Sequence, residues 1–501
     1  MKLNYLSFAG CACGLGLVLA ASCSGNSQHA ARPDASEAGA GGHAAGNDGG
    51  VSSSGSVNGG TANGGSAGSQ VGAEAGEAGV TAGGTNGGAG GDAAAGAAGE
   101  AGAGGATDII DTSGMLEGTV SVVSGTHDLS TEALAAGRNC AEAPAYSVAA
   151  LSNRGATLAA APTTGCLAGG DEVLLINLQG TADAYQNTGN WELLAVDHVD
   201  GTSVTFTSPK RRRYGTSTRT DSGLGTDAGS QRVALVRVPH FESLTIESGA
   251  TLTAAAWSGS VGGVVALRAD TLQVDGTISA ARLGYRGGRW SRDDYDCADN
   301  LATEAGESIS GLGSASLAPN VGASGGIGAF SNYSYNTNSP ACAAAGHALP
   351  GEAGFNPNQR TLGEPGGAYG ADDASKLTLG SGPGGNVTCD SDVGHAPYLT
   401  DFDIRAGGIV LLLVGKLEVG ASGTITATPP DPSRDVAPSG GYVYVRGTTL
   451  SVGDKRITAQ GAYGRSVNGP TAGQSNHASP GYVVLSGAVS GTTDPVAKVV
   501  P

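Results

Sequence analysis

Gly262-Gly263-Val264-Val265-Ala266-Leu267 is the stretch that decides the fold, because the chain repeats it twice further on. The two copies are Gly407-Gly408-Ile409-Val410-Leu411-Leu412 and Gly440-Gly441-Tyr442-Val443-Tyr444-Val445. In each copy a Leu follows nine positions after the second glycine, and a Val follows eleven positions after it. Each unit then closes with a similar segment, and these are Thr277-Ile278-Ser279-Ala280, Thr424-Ile425-Thr426-Ala427 and Arg456-Ile457-Thr458-Ala459.

Such a unit predicts three short strands separated by turns, with the apolar side chains pointing one way. One unit cannot bury that apolar face alone, whereas stacked units can. The pattern therefore predicts an all-β fold, with a parallel β-helix-like solenoid over residues 241–501. A β-sandwich of hairpins is the alternative, but independent hairpins would not keep identical offsets in three copies.

The region before the repeat has a different pattern. Between residues 107 and 240, short apolar alternations are separated by turn residues, and the strand candidates are 119–122, 172–176, 191–196 and 203–206. A period of two indicates strands with one buried face. We therefore expect a small antiparallel β domain before the solenoid.

A long insertion, residues 281–406, separates the first full repeat from the second. It is rich in Gly yet carries ten aromatic residues, so we expect it to fold partly over one face of the solenoid. Tyr285, Trp290, Tyr333 and Tyr335 are candidates for stacking on sugar rings, since a flat ring matches the apolar face of a pyranose. The alternative is that these rings pack the insertion onto the solenoid.

The N-terminus predicts export. Residues 1–23 hold a lysine, an apolar run and small residues before Cys23, which is the pattern of a bacterial lipoprotein signal with Cys23 as the lipidated residue. Residues 24–106 contain 27 Gly and 22 Ala and no aromatic residue. Because such a segment has too little apolar area to fold, we expect a disordered linker between a membrane anchor and the folded part.

The net charge bears on the class of partner, and the cysteine content bears on disulfide formation. The formal charge of −18 argues against nucleic acid as a partner, which needs a basic surface. An exported compartment permits disulfides, and Cys140 with Cys166 is the favoured pair because both lie in the small domain. The pairing among Cys297, Cys342 and Cys389 stays open.

The chain resembles exported lipoproteins of myxobacteria, some of which are labelled adventurous gliding motility proteins. The resemblance is carried by Cys23 with its Gly/Ala linker, by Gly170-Asp171-Glu172-Val173-Leu174-Leu175-Ile176-Asn177, and by Gly262-Gly263-Val264-Val265-Ala266-Leu267-Arg268-Ala269. It covers roughly residues 116–490. It implies a lipoprotein of the outer membrane or cell surface, linked to adhesion or motility, and it offers no catalytic motif.

An enzymatic alternative rests on Asp372, Asp373, His395 and Arg456. Their order is similar to the Asp-Asp, Gly-His-Gly and Arg-Ile-Lys elements of polygalacturonase-like glycosidases, in which carboxyls protonate the leaving oxygen and activate water. This chain departs from that pattern, with Ala396 in place of glycine, Thr458 in place of lysine and no upstream Asn-Thr-Asp. The other interpretation is that the two aspartates form a turn and Arg456 belongs to the repeat.

Four carboxylates lie close together in Asp293-Asp294-Tyr295-Asp296-Cys297-Ala298-Asp299. Calcium binding by Asp293, Asp294, Asp296 and Asp299 would relieve their repulsion, although a solvated acidic loop is the simpler interpretation. Apart from calcium we expect no cofactor. The sequence thus favours a non-enzymatic display or adhesion module that contacts polysaccharide or envelope components, with a polysaccharide hydrolase or lyase and a purely structural envelope protein as alternatives.

Overall fold

The computed structural model describes residues 117–288, 305–313, 344–353, 365–384, 404–431, 437–465 and 475–501, with the strands 291–292 and 387–388. The predicted signal segment 1–23 and linker 24–106 lie outside the described residues. Within the described ranges all regular secondary structure is β, with no helix. Accordingly, none of these ranges holds a helix that is long and apolar enough to cross a membrane.

The strands are numbered in chain order. They are β1 (Thr119–Val122), β2 (Gly125–Asp128), β3 (Ala145–Leu151), β4 (Gly155–Leu158), β5 (Glu172–Gln179), β6 (Trp191–Asp200), β7 (Ser203–Phe206), β8 (Arg232–Arg237), β9 (His240–Ile246), β10 (Ala250–Thr253), β11 (Val264–Val274), β12 (Thr277–Ser279), β13 (Ser291–Arg292), β14 (Val387–Thr388), β15 (Ile409–Val419), β16 (Thr424–Thr426), β17 (Tyr442–Thr458), β18 (Tyr463–Arg465), β19 (Ser475–His477), β20 (Tyr482–Asp494) and β21 (Lys498–Val500).

The repeat units stack as parallel strands, as the sequence predicts. Leu272 of β11 lies opposite Leu417 of β15, which in turn lies opposite Leu450 of β17. Ile278, Ile425 and Ile457 form a second column on the shorter strands. Since residues at equal offsets meet across the sheet, the apolar columns become the buried interior of a β-helix-like solenoid. One detail differs, because the first two predicted strands of a unit form one continuous strand, as in β11.

The small antiparallel domain is a closed six-stranded barrel with the strand order β3-β4-β7-β6-β5-β8. The assignment of residues 119–122 to that domain is wrong. β1 pairs in parallel with β9, and β2 pairs in parallel with β10, so both strands belong to the solenoid. The barrel is therefore inserted after the first solenoid turn, and the boundary expected at residue 240 does not separate the two sheets along the chain. A period-two pattern shows that a strand has a buried face, but it does not identify the partner.

β5 joins the two cores because both of its faces are buried. Leu174 and Ile176 pack into the solenoid core, whereas Val173 and Leu175 pack into the barrel core. A strand buried on both faces reads as a continuous apolar run, which is what this segment shows. An ion pair reinforces the contact, since Arg268 on β11 donates to both carboxylate oxygens of Glu172 at the start of β5.

The described parts of the insertion form a layer of extended segments beside the strands. Gly380 N–H donates to the carbonyl of Gly407 at 2.9 Å, and Gly407 N–H donates to that of Ser439 at 3.0 Å. A Cβ added at Gly306 would lie 1.9 Å from the carbonyl oxygen of Gly382. Such close approach of backbones requires glycine. We call this layer, built from residues 280–288, 305–313, 344–353, 365–384, 404–408, 437–441, 459–462 and 478–481, the glycine-packed side.

Candidate functional site

The predicted catalytic aspartates lie in a turn. Asp373 Oδ1 accepts a hydrogen bond from the Ser375 N–H at 2.8 Å, and Asp372 lies 3.7 Å from the ammonium of Lys498. Burial raises the pKa of Asp373, but the hydrogen bonds from Ser375 and the charge of Arg212 outweigh it, so this pKa is below its ordinary value. A general acid needs a raised pKa. The geometry therefore fits the turn interpretation of these two residues.

Arg456 is not among the described residues that pair with this turn. Arg456 lies on β17, where its Cβ and Cγ border the bend at Gly453, and it forms part of the repeat. The cations that contact or influence the two aspartates are Lys498 and Arg212. His395 lies outside the described residues, so its place relative to them stays a prediction.

The structure contradicts the stacking role predicted for Tyr285. Its side chain has no exposed surface, and its hydroxyl donates to the carbonyl of Leu178 on β5. The ring packs edge to face with Trp257, with the ring centroids 5.9 Å apart. Tyr285 fills the space between the glycine-packed side and the barrel, where no sugar could reach it. The sequence shows the aromatic residue but not the strand that covers it.

The remaining predicted ligand residues cannot be placed. Trp290, Tyr333 and Tyr335, the acidic residues Asp293, Asp294, Asp296 and Asp299, and the lipidation residue Cys23 all lie outside the described residues. Among the residues that are described, no group of three or more His, Cys, Asp or Glu side chains could hold a metal ion.

Cys140 and Cys166, the pair that the sequence favours, are joined by a disulfide with a Cα–Cα distance of 5.3 Å. The bond ties the loop between β2 and β3 to the segment before β5. Arg138 supports it by donating to the carbonyls of Ala141 and Cys166. The disulfide thus has a structural role, because it links two loops of the described chain.

The described surface offers a different aromatic site at Tyr463. Its side chain is 49% exposed, and it lies on β18, which pairs in antiparallel fashion with β19. His477 of β19 lies opposite it, with ring centroids 4.4 Å apart and an interplanar angle of 76°. The two rings form a small exposed aromatic surface next to residues 459–462 and 478–481 of the glycine-packed side.

Two exposed carboxylates flank these rings. Asp431 Oδ1 accepts the Tyr463 N–H at 2.9 Å, and Glu352 Oε2 accepts the His477 N–H at 2.8 Å. Each carboxylate is therefore oriented through one oxygen, and among the described residues the second oxygen has no hydrogen-bond partner. We call Tyr463, His477, Asp431 and Glu352 the Tyr463 platform.

The platform combines an apolar ring face with fixed hydrogen-bond acceptors. An exposed tyrosine ring can stack on the apolar face of a sugar, and a carboxylate oxygen can accept hydrogen bonds from sugar hydroxyls. Because backbone N–H groups hold both carboxylates, little side-chain entropy would be lost when a ligand binds. The arrangement suits binding of a hydroxyl-rich polymer.

The outer face of the short strands presents hydroxyl groups in register. Thr277 of β12 lies opposite Thr424 of β16. Many of these hydroxyls bond within the protein: Thr458 donates to Thr426 at 2.8 Å, and Thr253 donates to the Ser279 carbonyl at 2.8 Å. Hydroxyls that are already paired with each other stabilise the stack and offer less to a ligand. This face therefore has a structural role.

Sequence reasoning missed the Tyr463 platform, because its members come from four separate segments. The only local signal is a tyrosine after the third repeat, in Ala459-Gln460-Gly461-Ala462-Tyr463, where the preceding copy has Ala427-Thr428-Pro429-Pro430-Asp431. That departure from the repeat marks a residue that the solenoid core does not require.

A scan against protein-family models and a search of curated proteins each found no match. Among solved structures, the chain is similar to the tailspike of Pseudomonas phage phi297 at 13% identity and a TM-score of 0.14, with 76% of this chain and 62% of that chain covered. It is similar to the tailspike of Pseudomonas phage LKA1 at 12% identity and a TM-score of 0.13, with 71% and 62% covered.

A third similar structure is the tailspike of Acinetobacter baumannii bacteriophage AP22 in complex with A. baumannii capsular saccharide. It has 9% identity and a TM-score of 0.14, with 76% of this chain and 62% of that chain covered. The chain thus spans 62% of the length of each of these three tailspikes. At such TM-scores the likeness carries no argument, and the fold assignment rests on the strand pairing described above.

Proposed function

We propose that this protein is a surface-anchored, non-enzymatic module that contacts polysaccharide or another envelope component through the Tyr463 platform. In this proposal lipid on Cys23 holds the chain at the outer membrane or cell surface, and the linker 24–106 extends the folded part outward. A role in adhesion or gliding motility follows from the resemblance to myxobacterial lipoproteins.

The observation that carries the proposal is the exposed ring of Tyr463 between two carboxylates that backbone N–H groups orient. Exposed tyrosine rings combine apolar contact area with few rotatable bonds, so they bind at low entropic cost. The paired strands β18 and β19 hold the two rings at the surface, and an exposed pair of rings favours contact with an extended polymer over enclosure of a small molecule.

Binding is favoured over hydrolysis by the state of the carboxylates that could act as acids. Asp373 has a lowered pKa and bonds to its own turn, and Asp372 pairs with Lys498. Glycoside hydrolysis needs a protonated carboxyl on one side of the bond and an ionised one on the other. The described aspartates do not offer that asymmetry.

The test uses the purified full chain against bacterial, plant and algal polysaccharides, with binding and new chain ends recorded together. We expect binding without cleavage, and we expect Tyr463→Ala to weaken it about fivefold or more, which corresponds to about 1 kcal/mol for one stacked ring. Tyr463→Phe keeps the ring and should retain most of the binding.

Leu312→Ala is the matched control, because Leu312 is exposed to a similar extent, 48%, and lies in the insertion, away from β18 in the chain. Equal loss of binding in this control would show that general surface apolarity is responsible. New chain ends that disappear in His395→Ala would replace the proposal with the enzymatic alternative. Neither binding nor cleavage across the panel would leave the structural role that the paired threonine hydroxyls favour.

A further inference from the structure

A buried charge cluster at the junction of barrel and solenoid is not explained by the proposed function. Its centre is Arg237 on β8, whose side chain is only 7% exposed. The guanidinium contacts Glu117, which precedes β1, and donates from Nε to Asp171 Oδ1 at 2.8 Å. It also lies 3.8 Å from Glu142 Oε2, in the loop between β2 and β3.

The cluster contains more carboxylates than cations. Arg138 is the second cation, with its Nε 3.4 Å from Glu142 Oε2. Three carboxylates, those of Glu117, Glu142 and Asp171, therefore face two guanidinium groups. The side chains of Glu117, Glu142 and Asp171 are 10%, 0% and 15% exposed, so water screens the excess negative charge poorly. An unbalanced charge at such burial is costly.

Two of these oxygens also lack hydrogen bonds. Glu117 Oε2 and Glu142 Oε2 are both buried without a hydrogen-bond partner among the described residues. The other oxygen of Glu142 accepts the N–H groups of Leu134 at 2.7 Å and Ala135 at 2.6 Å, so Oε2 is the oxygen of Glu142 that is left to accept a further hydrogen bond. A single proton on Glu117 would give both unpaired oxygens a partner and remove the excess charge.

We propose that Glu117 and Glu142 share one proton, carried on Glu117 Oε2 and donated to Glu142 Oε2, and that this bond fastens the first solenoid strand to the barrel. Glu117 lies two residues before β1, and its N–H donates to the His240 carbonyl of β9 at 2.7 Å. The shared proton thus lies where three elements meet. It makes the attachment of β1 dependent on pH.

The pKa of Glu117 is raised, as expected for a carboxyl that keeps its proton in this cluster. Burial raises it to about 7, against the lowering effect of Arg237 and with a further rise from the neighbouring Glu142 carboxyl. The other groups that face the cluster are Arg138 and Asp171 together with Tyr146 on β3, and burial raises the pKa of that tyrosine to about 12, so it stays neutral.

The pH dependence of stability follows from the difference in the Glu117 pKa between the folded and unfolded states. The Glu117 pKa is higher in the folded protein than in the unfolded chain, so its contribution to stability is complete below about pH 4.5 and is lost as the pH rises through 7. Over that range the unfolding constant attributable to this group should rise up to ~300-fold.

The experiment compares the full chain with Glu117→Gln, whose amide N–H₂ donates to Glu142 as the shared proton would. We expect the ratio of the unfolding constants of the wild type and the variant to increase steeply between pH 4.5 and 8, because the variant cannot lose its donor. Once the intrinsic pH dependence of amide exchange is divided out, the protection of the β1 amides should fall above pH 7 in the wild type only. Parallel pH profiles for the two proteins would overturn the proposal.

Glu142→Gln supplies a second readout that does not depend on the first variant folding. Removing the negative partner should lower the apparent pKa of Glu117 towards its ordinary value, as followed by carbon NMR of the side-chain carboxyl. An unchanged pKa in this variant would show that Glu117 does not share a proton with Glu142. His198→Gln, at a side chain 62% exposed, is the control for a general effect of substitution.

Discussion

Gly481 lies so close to Gly441 that a Cβ on Gly481 would be 1.7 Å from the Gly441 carbonyl oxygen. The Gly441 position repeats this relationship one turn earlier, with 2.0 Å from its added Cβ to the Gly408 carbonyl oxygen. The paired glycines that open each repeat are therefore needed at the places where successive turns of the chain touch. The spacing of these glycines along the chain therefore indicates where the backbones of neighbouring solenoid turns touch.

This contact predicts that Gly481→Ala is strongly destabilising. The added methyl group can be accommodated only if one solenoid turn moves away from the next, so we expect a loss of ~3 kcal/mol or more in the free energy of unfolding. Chemical denaturation followed by circular dichroism measures it. Gly367→Ala is the control, because a Cβ there meets no described atom within 4 Å. Similar losses at both positions would contradict a role for close backbone contact.

The apolar column through the long strands supports a second prediction. Leu417 has no exposed surface and lies between Leu272 and Leu450. Leu417→Ala should cost about 3 kcal/mol, because the rigid turns on either side cannot collapse into the cavity.

The adjacent residue provides the comparison for Leu417. Lys416 points outward, with a side chain 56% exposed and an ion pair to Glu418 at 3.1 Å. Lys416→Ala should change the free energy of unfolding by less than about 0.5 kcal/mol. A comparable loss in both variants, measured by denaturant titration, would show that the inward and outward faces are assigned incorrectly.

The sequence predicts the solenoid well because the same apolar pattern occurs in three copies. Equal offsets of Leu272, Leu417 and Leu450 in three copies are sufficient to predict the register that the structure has. A single strand carries less information. Val120 and Val122 show a buried face, but nothing local indicates that their partner is β9. The barrel therefore interrupts the solenoid at a point that the chain does not mark.

The candidate site is less predictable for the same reason. Tyr463 and Asp431 are 32 residues apart, and His477 and Glu352 are 125 residues apart. Tyr463 and Asp431 occupy equivalent places in consecutive repeats, but no motif in the sequence records that Glu352 lies beside His477. For Tyr285 the sequence predicts an exposed ring, and this prediction is wrong. An aromatic residue in a Gly-rich segment suggests exposure, but β5 covers this ring.

The disulfide should stabilise the folded protein measurably relative to a chain that lacks the bond. Cys140 and Cys166 are 26 residues apart in sequence, and closing a loop of that length lowers the entropy of the unfolded chain by the equivalent of about 3 kcal/mol. The double variant Cys140→Ala, Cys166→Ala should lose about that much stability under oxidising conditions. It should then match the wild type treated with reductant, which loses the same constraint. A wild type that is unaffected by reductant would contradict the stabilising role.

His347 should make the free energy of unfolding depend on pH in the opposite direction from Glu117. Its ring is fully buried, with Nδ1 donating to the Gly440 carbonyl at 2.7 Å and Nε2 accepting from the Thr378 hydroxyl at 2.8 Å. With Nδ1 donating to a carbonyl, Nε2 of the neutral ring is an acceptor for the Thr378 hydroxyl, and full burial makes the charged ring costly. Burial lowers the pKa of His347 to about 4, opposed by the bond to Gly440.

Because this pKa is lower in the folded protein than in the unfolded chain, the contribution of His347 to stability is present above about pH 6.5 and is lost as the pH falls towards 4. The loss should reach about 3 kcal/mol at pH 4. His347→Gln should remove that part of the pH dependence, as measured by urea unfolding at several pH values. Since Glu117 acts in the opposite direction over nearly the same range, the decisive quantity is the difference in slope between wild type and variant. A His347→Gln profile parallel to that of the wild type would mean that the ring becomes protonated without cost in the folded protein.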